Sequence, residues 1–279
     1  MNKFIKILAG VVAFTLIGGI LWVANSLVGN PISKMIAKNT AKQYIEANYS
    51  HMELEVSDVS YSFKDGRYHA YVTSPISIDT YFSIDISQNG KVRYDSYEGN
   101  VVKRWNTYER IDKVYRSMVE GVFGSVDFPY KSDIDFGELK IKEVVQDKDY
   151  FGPIYGIDIE SLELDKEYNI EELGKTTGHI IFYTEDQDIS VKRAAEILLD
   201  IKNIFDKEAV PFYAIDFVLQ KSREEGEQPR SDDEVRVNDF LYSDIYEEGL
   251  EQRIEEADKL VKAYYKEQDA KKDGELSQK

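Results

Sequence analysis

The chain contains no cysteine, and this absence excludes several kinds of site at once. Disulfide bonds, a thiolate nucleophile, cysteine-ligated zinc and a lipid-modified cysteine all need a residue that the sequence lacks. Histidine is scarce too: His51, His69 and His179 lie far apart, and none has a second histidine or a carboxylate at the spacing of a zinc motif. We therefore expect no metal site and no cofactor, and we interpret His179, at the start of an apolar run, as a structural residue.

Short catalytic signatures are missing as well. The sequence has no G-x-S-x-G, no P-loop and no G-x-G-x-x-G, and its 52 acidic residues make any single carboxylate pair uninformative. Asp147-x-Asp149-x-x-Gly152 begins like a calcium loop, but Phe151 stands where an oxygen ligand is needed and Asp158 where a bidentate glutamate is needed. The sequence indicates a protein that is not an enzyme, unless its activity has no short signature.

Basic residues are outnumbered in the chain. Lys and Arg number 35 against 52 Asp and Glu, for a formal net charge of −17. Residues 1–30 contain two lysines and no acidic residue, so the remaining chain carries −19. A domain with this charge repels phosphate backbones, and we expect no nucleic-acid partner.

What the sequence does have is one long apolar run near its N-terminus. Lys3 and Lys6 precede an uncharged stretch over 7–24, which at about 1.5 Å per residue is nearly as long as the hydrocarbon core of a bilayer is thick. We expect a single-pass anchor over 1–30, with membrane lipid as its partner. A cleaved signal peptide is the alternative, but Trp22 or Leu27 would stand three residues before the cut, where a small residue is needed. Lysines flank the run on both sides, so charge does not fix its orientation. A long C-terminal body usually translocates, which places it in the cell envelope outside the cytoplasm.

Residues 31–123 have the pattern of a helix, a four-stranded antiparallel meander and a second helix. The first helical stripe covers 33–49 and the second covers 104–123. Between them, Asp65-Gly66 and Asn89-Gly90 are strong hairpin signals that separate alternating segments. The alternation predicts these residues on the core face of the sheet: Val59, Tyr61, Phe63, Tyr68, Ala70, Val72, Ile78, Phe82, Ile84, Ile86, Val92 and Tyr94.

The opposite face of this predicted sheet is the one positive signal of function. It carries tyrosines among polar side chains, a composition common in surfaces that bind peptides or sugars. The predicted partner-binding residues are Tyr71, Asp79, Tyr81 and Tyr97. The alternatives are that another part of the chain covers this face, or that tyrosine simply suits strands.

Residues 124–267 predict a second α+β domain, and 268–279 a disordered tail. A helix over 190–206 between strands at 179–184 and 211–219 predicts a β-α-β unit. Further strands are expected at 138–146 and 235–242, a solvated loop at 222–234, and a last helix after the capping box Asp244-x-x-Glu247. The predicted fold class of the whole chain is α+β.

The run AKQYIEANYSHMELEVSDVSYSFKDGRYHAYVTSPISIDTYFSIDI over 41–86 resembles the YfjL-like membrane-anchored envelope proteins of Gram-positive bacteria. The positions of SPISIDTYFSI that fit the family are Ser74, Pro75, Ser77, Asp79 and Phe82. In outline the domain is also similar to PepSY-like and cystatin-like modules, which implies at most a binding or inhibitory role. The YfjL-like family has no established activity, so the resemblance carries over no catalytic residue.

These observations predict a non-catalytic binding or regulatory module, held at the membrane, whose partner is an envelope protein, a peptide or a cell-wall ligand. The alternative is a structural subunit of a membrane complex. In that case the apolar helix would pack against partner helices through Gly10, Gly18 or Gly19.

Overall fold

The computed structural model describes residues 3–142, 152–222 and 234–276 and divides the chain into two compact units. The first unit contains residues 1–107 and 162–166, and the second contains 108–161 and 167–279. The sequence placed this division after Phe123, whereas the structure divides the chain after Thr107 and returns residues 162–166 to the first unit. Each unit combines helices with a four-stranded sheet, which confirms the α+β class.

The first two helices of the chain are separated by a tight turn. Helix α1 spans Lys3–Val28 and α2 spans Pro31–Asn48. Gly29 between them has a φ of 80°, and a Cβ there would lie 2.7 Å from the ring of Tyr61. The Asn30 side chain accepts hydrogen bonds from the backbone N–H groups of Ile32 and Ser33, and Pro31 needs no such partner. The chain therefore ends one helix and starts the next within two residues.

Helix α1 keeps its large apolar side chains at the surface, with Ile7, Phe14 and Ile20 more than half exposed. Within the described part of the chain, no helix has both the length and the apolar character needed to cross a membrane. The structure thus does not support the predicted span over 7–24.

The first sheet is an antiparallel meander in chain order, as predicted. Its strands are β1 (Glu55–Ser62), β2 (Arg67–Ser74), β3 (Ser77–Ser87) and β4 (Val92–Asp95). The two expected hairpin glycines, Gly66 and Gly90, have positive φ values of 68° and 81°. The core between this sheet and α2 contains Ala37, Ala41, Ile45, Val56, Val59, Tyr68, Ala70, Val72, Phe82, Ile84 and Ile86.

Three residues predicted for this core are instead exposed: Phe63, Ile78 and Tyr94. Phe63 follows the last residue of β1. A bulge causes the change at Tyr94: Asp85 pairs with Tyr94 and Ile86 with Val92, which leaves Arg93 as an extra residue in β4. An extra residue reverses the alternation on one side of the bulge. Ile78 lies beside a second irregularity, where Thr73 pairs with Tyr81 but Ser74 pairs with Ser77.

The second unit is organised around a mixed sheet in the order β5-β6-β7-β8. Strands β6 and β7 are parallel, and both outer pairs are antiparallel. Helix α5 connects β6 to β7, so the predicted β-α-β unit is confirmed. The helices and strands are α3 (Trp105–Phe123), β5 (Ser132–Leu139), α4 (Ile170–Thr177), β6 (Gly178–Asp186), α5 (Val191–Lys207), β7 (Ala214–Lys221), β8 (Glu234–Leu241) and α6 (Leu250–Leu276).

One face of the second sheet is covered by helices. Gly137 of β5 lies so close to α3 that a Cβ there would be 2.4 Å from Val119. Phe123 of α3 stacks on Phe182 of β6 at 5.3 Å and meets Phe205 of α5 at 5.2 Å. Because side chains alternate along strands, the other face of this sheet carries Glu138, His179, Asp216 and Arg236.

Several helices and strands begin or end at residues other than those predicted from the sequence. The strand expected at 138–146 lies at 132–139, and residues 143–146 are outside the described residues. The capping box at Asp244 is a short 3₁₀ turn, and α6 begins only at Leu250. Helix α6 continues to Leu276 where a disordered tail was predicted; the Lys271–Glu267 ion pair, 3.2 Å long and one turn apart, supports this extension. Residues 147–151 of the calcium-like loop and most of the 222–234 loop lie outside the described residues.

Candidate functional site

The four residues predicted to bind a partner do not form one surface. Tyr71 and Tyr81 are 46% and 37% exposed, but Asp79 is 0% exposed. Tyr97 packs against the first core, with its ring 4.6 Å from that of Tyr49 and 5.3 Å from that of Phe82. Of the four, Tyr71 and Tyr81 therefore lie on an open surface.

The face of the first sheet opposite α2 is nevertheless rich in tyrosine. Tyr71 pairs with Ser83 across β2 and β3, which makes Tyr81 its diagonal neighbour. The bulge in β4 turns Tyr94 to this side, where it is 58% exposed and pairs with Asp85. We call this surface, defined by Tyr71, Tyr81 and Tyr94, the tyrosine face.

Charged side chains border the tyrosine face in an ordered arrangement. His69 Nδ1 lies 2.6 Å from Asp85 Oδ1, and its Nε2 lies 3.5 Å from Asp65 Oδ2. An Arg67 nitrogen lies 3.8 Å from Asp85 Oδ2. Contacts between partly exposed polar and charged groups add little stability, but they position the side chains beside the tyrosines.

Asp79 is buried because it joins residues 162–166 to β3. Its Oδ2 accepts hydrogen bonds from the Thr107 hydroxyl at 2.9 Å and from the Asp165 backbone N–H at 2.8 Å. In return, the Asp79 N–H donates to Asp165 Oδ1 at 3.0 Å, and the Ser77 hydroxyl donates to the same oxygen at 2.9 Å. Asp79 and Asp165 thus each accept a hydrogen bond from the backbone N–H of the other. This pair links β3 to residues 162–166, which is a structural role.

Asn106 completes this link at the edge of β3. Its side-chain amide donates to the carbonyl oxygens of Asp79 at 2.8 Å and Tyr81 at 2.7 Å, beyond the point where β4 pairs with β3. Asn106, Thr107 and Asp165 therefore contact the part of β3 that the sequence predicted to face solvent.

A second candidate site lies on the face of the second sheet away from α3 and α5. We call it the His179 cluster; its members are Glu138, Lys140, Tyr155, His179, Asp216 and Asp239. Sequence spacing did not reveal it, because the four strands that supply most of its side chains are separated by helices and loops. The only available signal was a polar residue at the start of each of the apolar strands β6 and β7.

His179 is the centre of this cluster and is 3% exposed. Its Nδ1 lies 3.4 Å from Glu138 Oε1. Its Nε2 lies 3.1 Å from Asp216 Oδ1 and 3.8 Å from Asp239 Oδ1. The direction to these oxygens is poor, and Nε2 finds no hydrogen-bond partner among the residues that the structure describes.

The carboxylates of the cluster have further partners. Asp216 Oδ1 accepts from the Asp239 backbone N–H at 2.6 Å, and Asp239 Oδ1 accepts from the Tyr155 hydroxyl at 2.7 Å. Lys140 forms an ion pair with Asp239. Asp239 has a φ of 48°, unusual for a residue with a side chain, beside an irregularity in the β7–β8 pairing.

The charges of the cluster shift its protonation equilibria. Burial alone would lower the pKa of His179, but the carboxylates of Asp216 and Glu138 outweigh it and raise this pKa to about 9. The neighbouring His179 in turn lowers the pKa of Glu138. Burial would raise the pKa of Asp239, yet Lys140 and Tyr155 hold it below its ordinary value. In this arrangement Glu138 and Asp239 are ionised and His179 is an imidazolium at neutral pH.

Protein-family models match residues in both units of the chain. A family model described as YfjL-like, N-terminal domain, matches residues 4–96, and one described as YfjL-like C-terminal domain matches residues 114–255. No curated protein and no solved structure matches the chain. The first match includes the 41–86 run and confirms its resemblance, and the second extends it to residues that the resemblance did not cover. This chain belongs to the YfjL-like family and contains both of its domains.

Proposed function

We propose that this protein is a non-catalytic binding or regulatory module that binds a protein or peptide partner through the tyrosine face. The observation that carries the proposal is the exposure of Tyr71, Tyr81 and Tyr94 on one polar sheet surface, at 46%, 37% and 58%. Tyrosine offers a large contact area at a low cost in side-chain entropy, together with a hydroxyl that can pair on binding.

The charge of the body indicates the kind of partner. Outside residues 1–30 the chain has a net charge of −19, which attracts a positively charged surface during encounter. The exposed tyrosine rings can accept lysine or arginine side chains over their faces. We therefore propose a protein or peptide segment with basic and aromatic side chains, and a cell-wall ligand as the competing possibility.

The proposal includes a location. We place α1 in the cell membrane as a single pass, with the body in the envelope outside the cytoplasm. The uncharged sequence over 7–24 and the exposed apolar side chains of α1 support this. Each large apolar side chain left in water forgoes about 1.5–3 kcal/mol relative to burial, and lipid would supply that burial.

The test compares two pairs of exposed tyrosines in the full-length protein. Tyr71→Ser with Tyr81→Ser changes the tyrosine face, and Tyr246→Ser with Tyr265→Ser changes residues of similar exposure in the second unit. Tagged proteins are recovered from detergent-solubilised membranes of the producing cells, and partners are quantified by mass spectrometry. We expect the first pair to reduce a specific partner at least about tenfold, as loss of interface tyrosines does, and the second to leave it unchanged.

The thermal midpoint of each variant provides the control for folding. If the Tyr71/Tyr81 variant keeps its midpoint and recovers the same partners as the wild type, the tyrosine face is not the binding surface. If instead a purified cell-wall fragment binds in a Tyr71-dependent way and no protein does, the partner class is wrong while the surface is right.

A structural subunit of a membrane complex is the second candidate, and the open surface of α1 favours it. A Cβ added at Gly10, Gly18 or Gly19 would meet no atom within 4 Å among the described residues, so these positions are free for a close helix partner. Replacing α1 with an unrelated apolar helix distinguishes the two candidates. Retained function excludes packing through α1.

A further inference from the structure

Three side chains of the His179 cluster direct ligand atoms to one point. His179, Asp216 and Asp239 come from the neighbouring strands β6, β7 and β8, and their ligand atoms all lie within 4.8 Å of one another. Nε2 of His179 is 3.1 Å from Asp216 Oδ1 and 3.8 Å from Asp239 Oδ1. Two ligands of a tetrahedral ion with bonds of about 2.0–2.1 Å lie roughly 3.3–3.5 Å apart. The two distances from Nε2 lie on either side of this range, so an ion needs only a small rearrangement around that nitrogen.

The buried imidazole nitrogen is an independent indication of a missing partner. A buried polar atom is normally paired, because an unpaired one loses its hydration without compensation. Nε2 of His179 is buried and lacks a hydrogen-bond partner in the described part of the chain, and it points between the two aspartates. A metal cation at that point would displace the proton of Nε2 and give this nitrogen its partner.

The surroundings of the three ligands have the organisation of a metal site. Glu138 lies beside Nδ1 of His179 at 3.4 Å, and a carboxylate in this position directs the other ring nitrogen to a metal. Arg116 holds Glu138 in turn, with a contact of 3.4 Å. Asp216 and Asp239 are oriented by the hydrogen bonds from the Asp239 N–H and the Tyr155 hydroxyl.

We propose that His179 Nε2, Asp216 and Asp239 bind a divalent transition-metal cation of the Zn²⁺ class. One imidazole and two carboxylates suit such an ion, whereas Ca²⁺ needs six to eight oxygen ligands. Lys140 is the built-in competitor, because its ammonium group already contacts Asp239. The site is independent of the tyrosine face, so it stands or falls separately from the proposed function.

Direct measurement of metal content tests the proposal. The full-length protein without a histidine tag is stripped with chelator and dialysed against 1 to about 100 molar equivalents of Zn²⁺, with Mg²⁺ and Ca²⁺ in parallel, and bound metal is measured by mass spectrometry. We expect one Zn²⁺ per chain and a higher thermal midpoint with Zn²⁺ but not with Mg²⁺ or Ca²⁺.

Four variants assign the metal to the cluster. Asp216→Asn keeps the side-chain shape and should weaken binding at least tenfold, and Glu138→Gln should weaken it about 10- to 100-fold through His179. Lys140→Met removes the competing ammonium and should tighten binding. His69→Gln is the matched control, since His69 also pairs with carboxylates but on the first sheet, and should leave binding unchanged.

Two results overturn the proposal: no stoichiometric Zn²⁺ on the wild type, or equal Zn²⁺ on the wild type and on Asp216→Asn when both are folded. Either would show that the cluster is an ion-pair network around protonated His179 and Lys140. The Lys140→Met variant separates these cases further, because it should lose stability in an ion-pair network but gain metal affinity in a metal site.

Discussion

Replacing Asp79 should destabilise the first unit strongly. If Asp79 lay on an exposed sheet face, as the sequence predicted, the same substitution would have little effect on stability. The carboxylate is 0% exposed and accepts two hydrogen bonds, from the Thr107 hydroxyl and the Asp165 N–H. A hydrogen bond to a charged group contributes about 1.5–3 kcal/mol, and the buried Thr107 hydroxyl would lose its acceptor. For Asp79→Ala we therefore expect a loss of about 3–5 kcal/mol in the free energy of unfolding.

The assay is urea denaturation of the full-length protein followed by tryptophan fluorescence, since Trp105 begins the helix that carries Thr107. Hydrogen exchange adds a local readout: peptides covering 162–166 should lose protection, because the Asp165 N–H loses its acceptor. Ser83→Ala on the same strand is the control and should change stability by less than about 0.5 kcal/mol.

A loss below about 0.5 kcal/mol for Asp79→Ala, with unchanged exchange at 162–166, would refute this account. It would mean that Asp79 is solvated as the strand alternation predicts. The milder Asp79→Asn keeps the shape and one acceptor oxygen, so it should lie between Asp79→Ala and the wild type.

Three further predictions concern packing, surface and location. Gly137→Ala should cost about 1–3 kcal/mol by urea denaturation because its Cβ would collide with Val119, whereas Gly121→Ala, with open space around it, should cost nothing. The Tyr71→Ser/Tyr81→Ser variant should keep its thermal midpoint within a few degrees, because exposed substitutions change stability by less than about 0.5 kcal/mol each; a large loss would show burial. The full-length chain should stay in the membrane fraction after a carbonate wash, and a soluble chain beginning near residue 25 or 30 would contradict the anchor.

The parts of the fold that the sequence predicted well depend on short stretches of chain. Asp65-Gly66 and Asn89-Gly90 act through their own backbone conformations, so both hairpins were found. The β-α-β unit was found because α5 buries Ala194, Leu198, Ile201 and Phe205 at regular helical spacing.

The errors come from features that depend on distant residues. One extra residue in β4 exchanged the faces of Tyr94 and Asp95, and the hydroxyls of Tyr44 and Tyr49 now pair with Asp95 at 2.5 and 3.1 Å. Alternation cannot reveal such a bulge. Asp79 is buried by Asp165, which is 86 positions away. Most members of the His179 cluster come from four different strands, so their proximity can be inferred only once the order of the strands in the sheet is known.

Site-specific photo-crosslinking in the producing cells tests the tyrosine face most directly. A photoreactive amino acid replaces Tyr71 or Tyr81 in the full-length protein, and replaces Tyr246, which is 48% exposed in the second unit, as the control. The account predicts the same protein adduct from positions 71 and 81 and no such adduct from position 246. No adduct from positions 71 and 81, or an equal adduct from position 246, would contradict it.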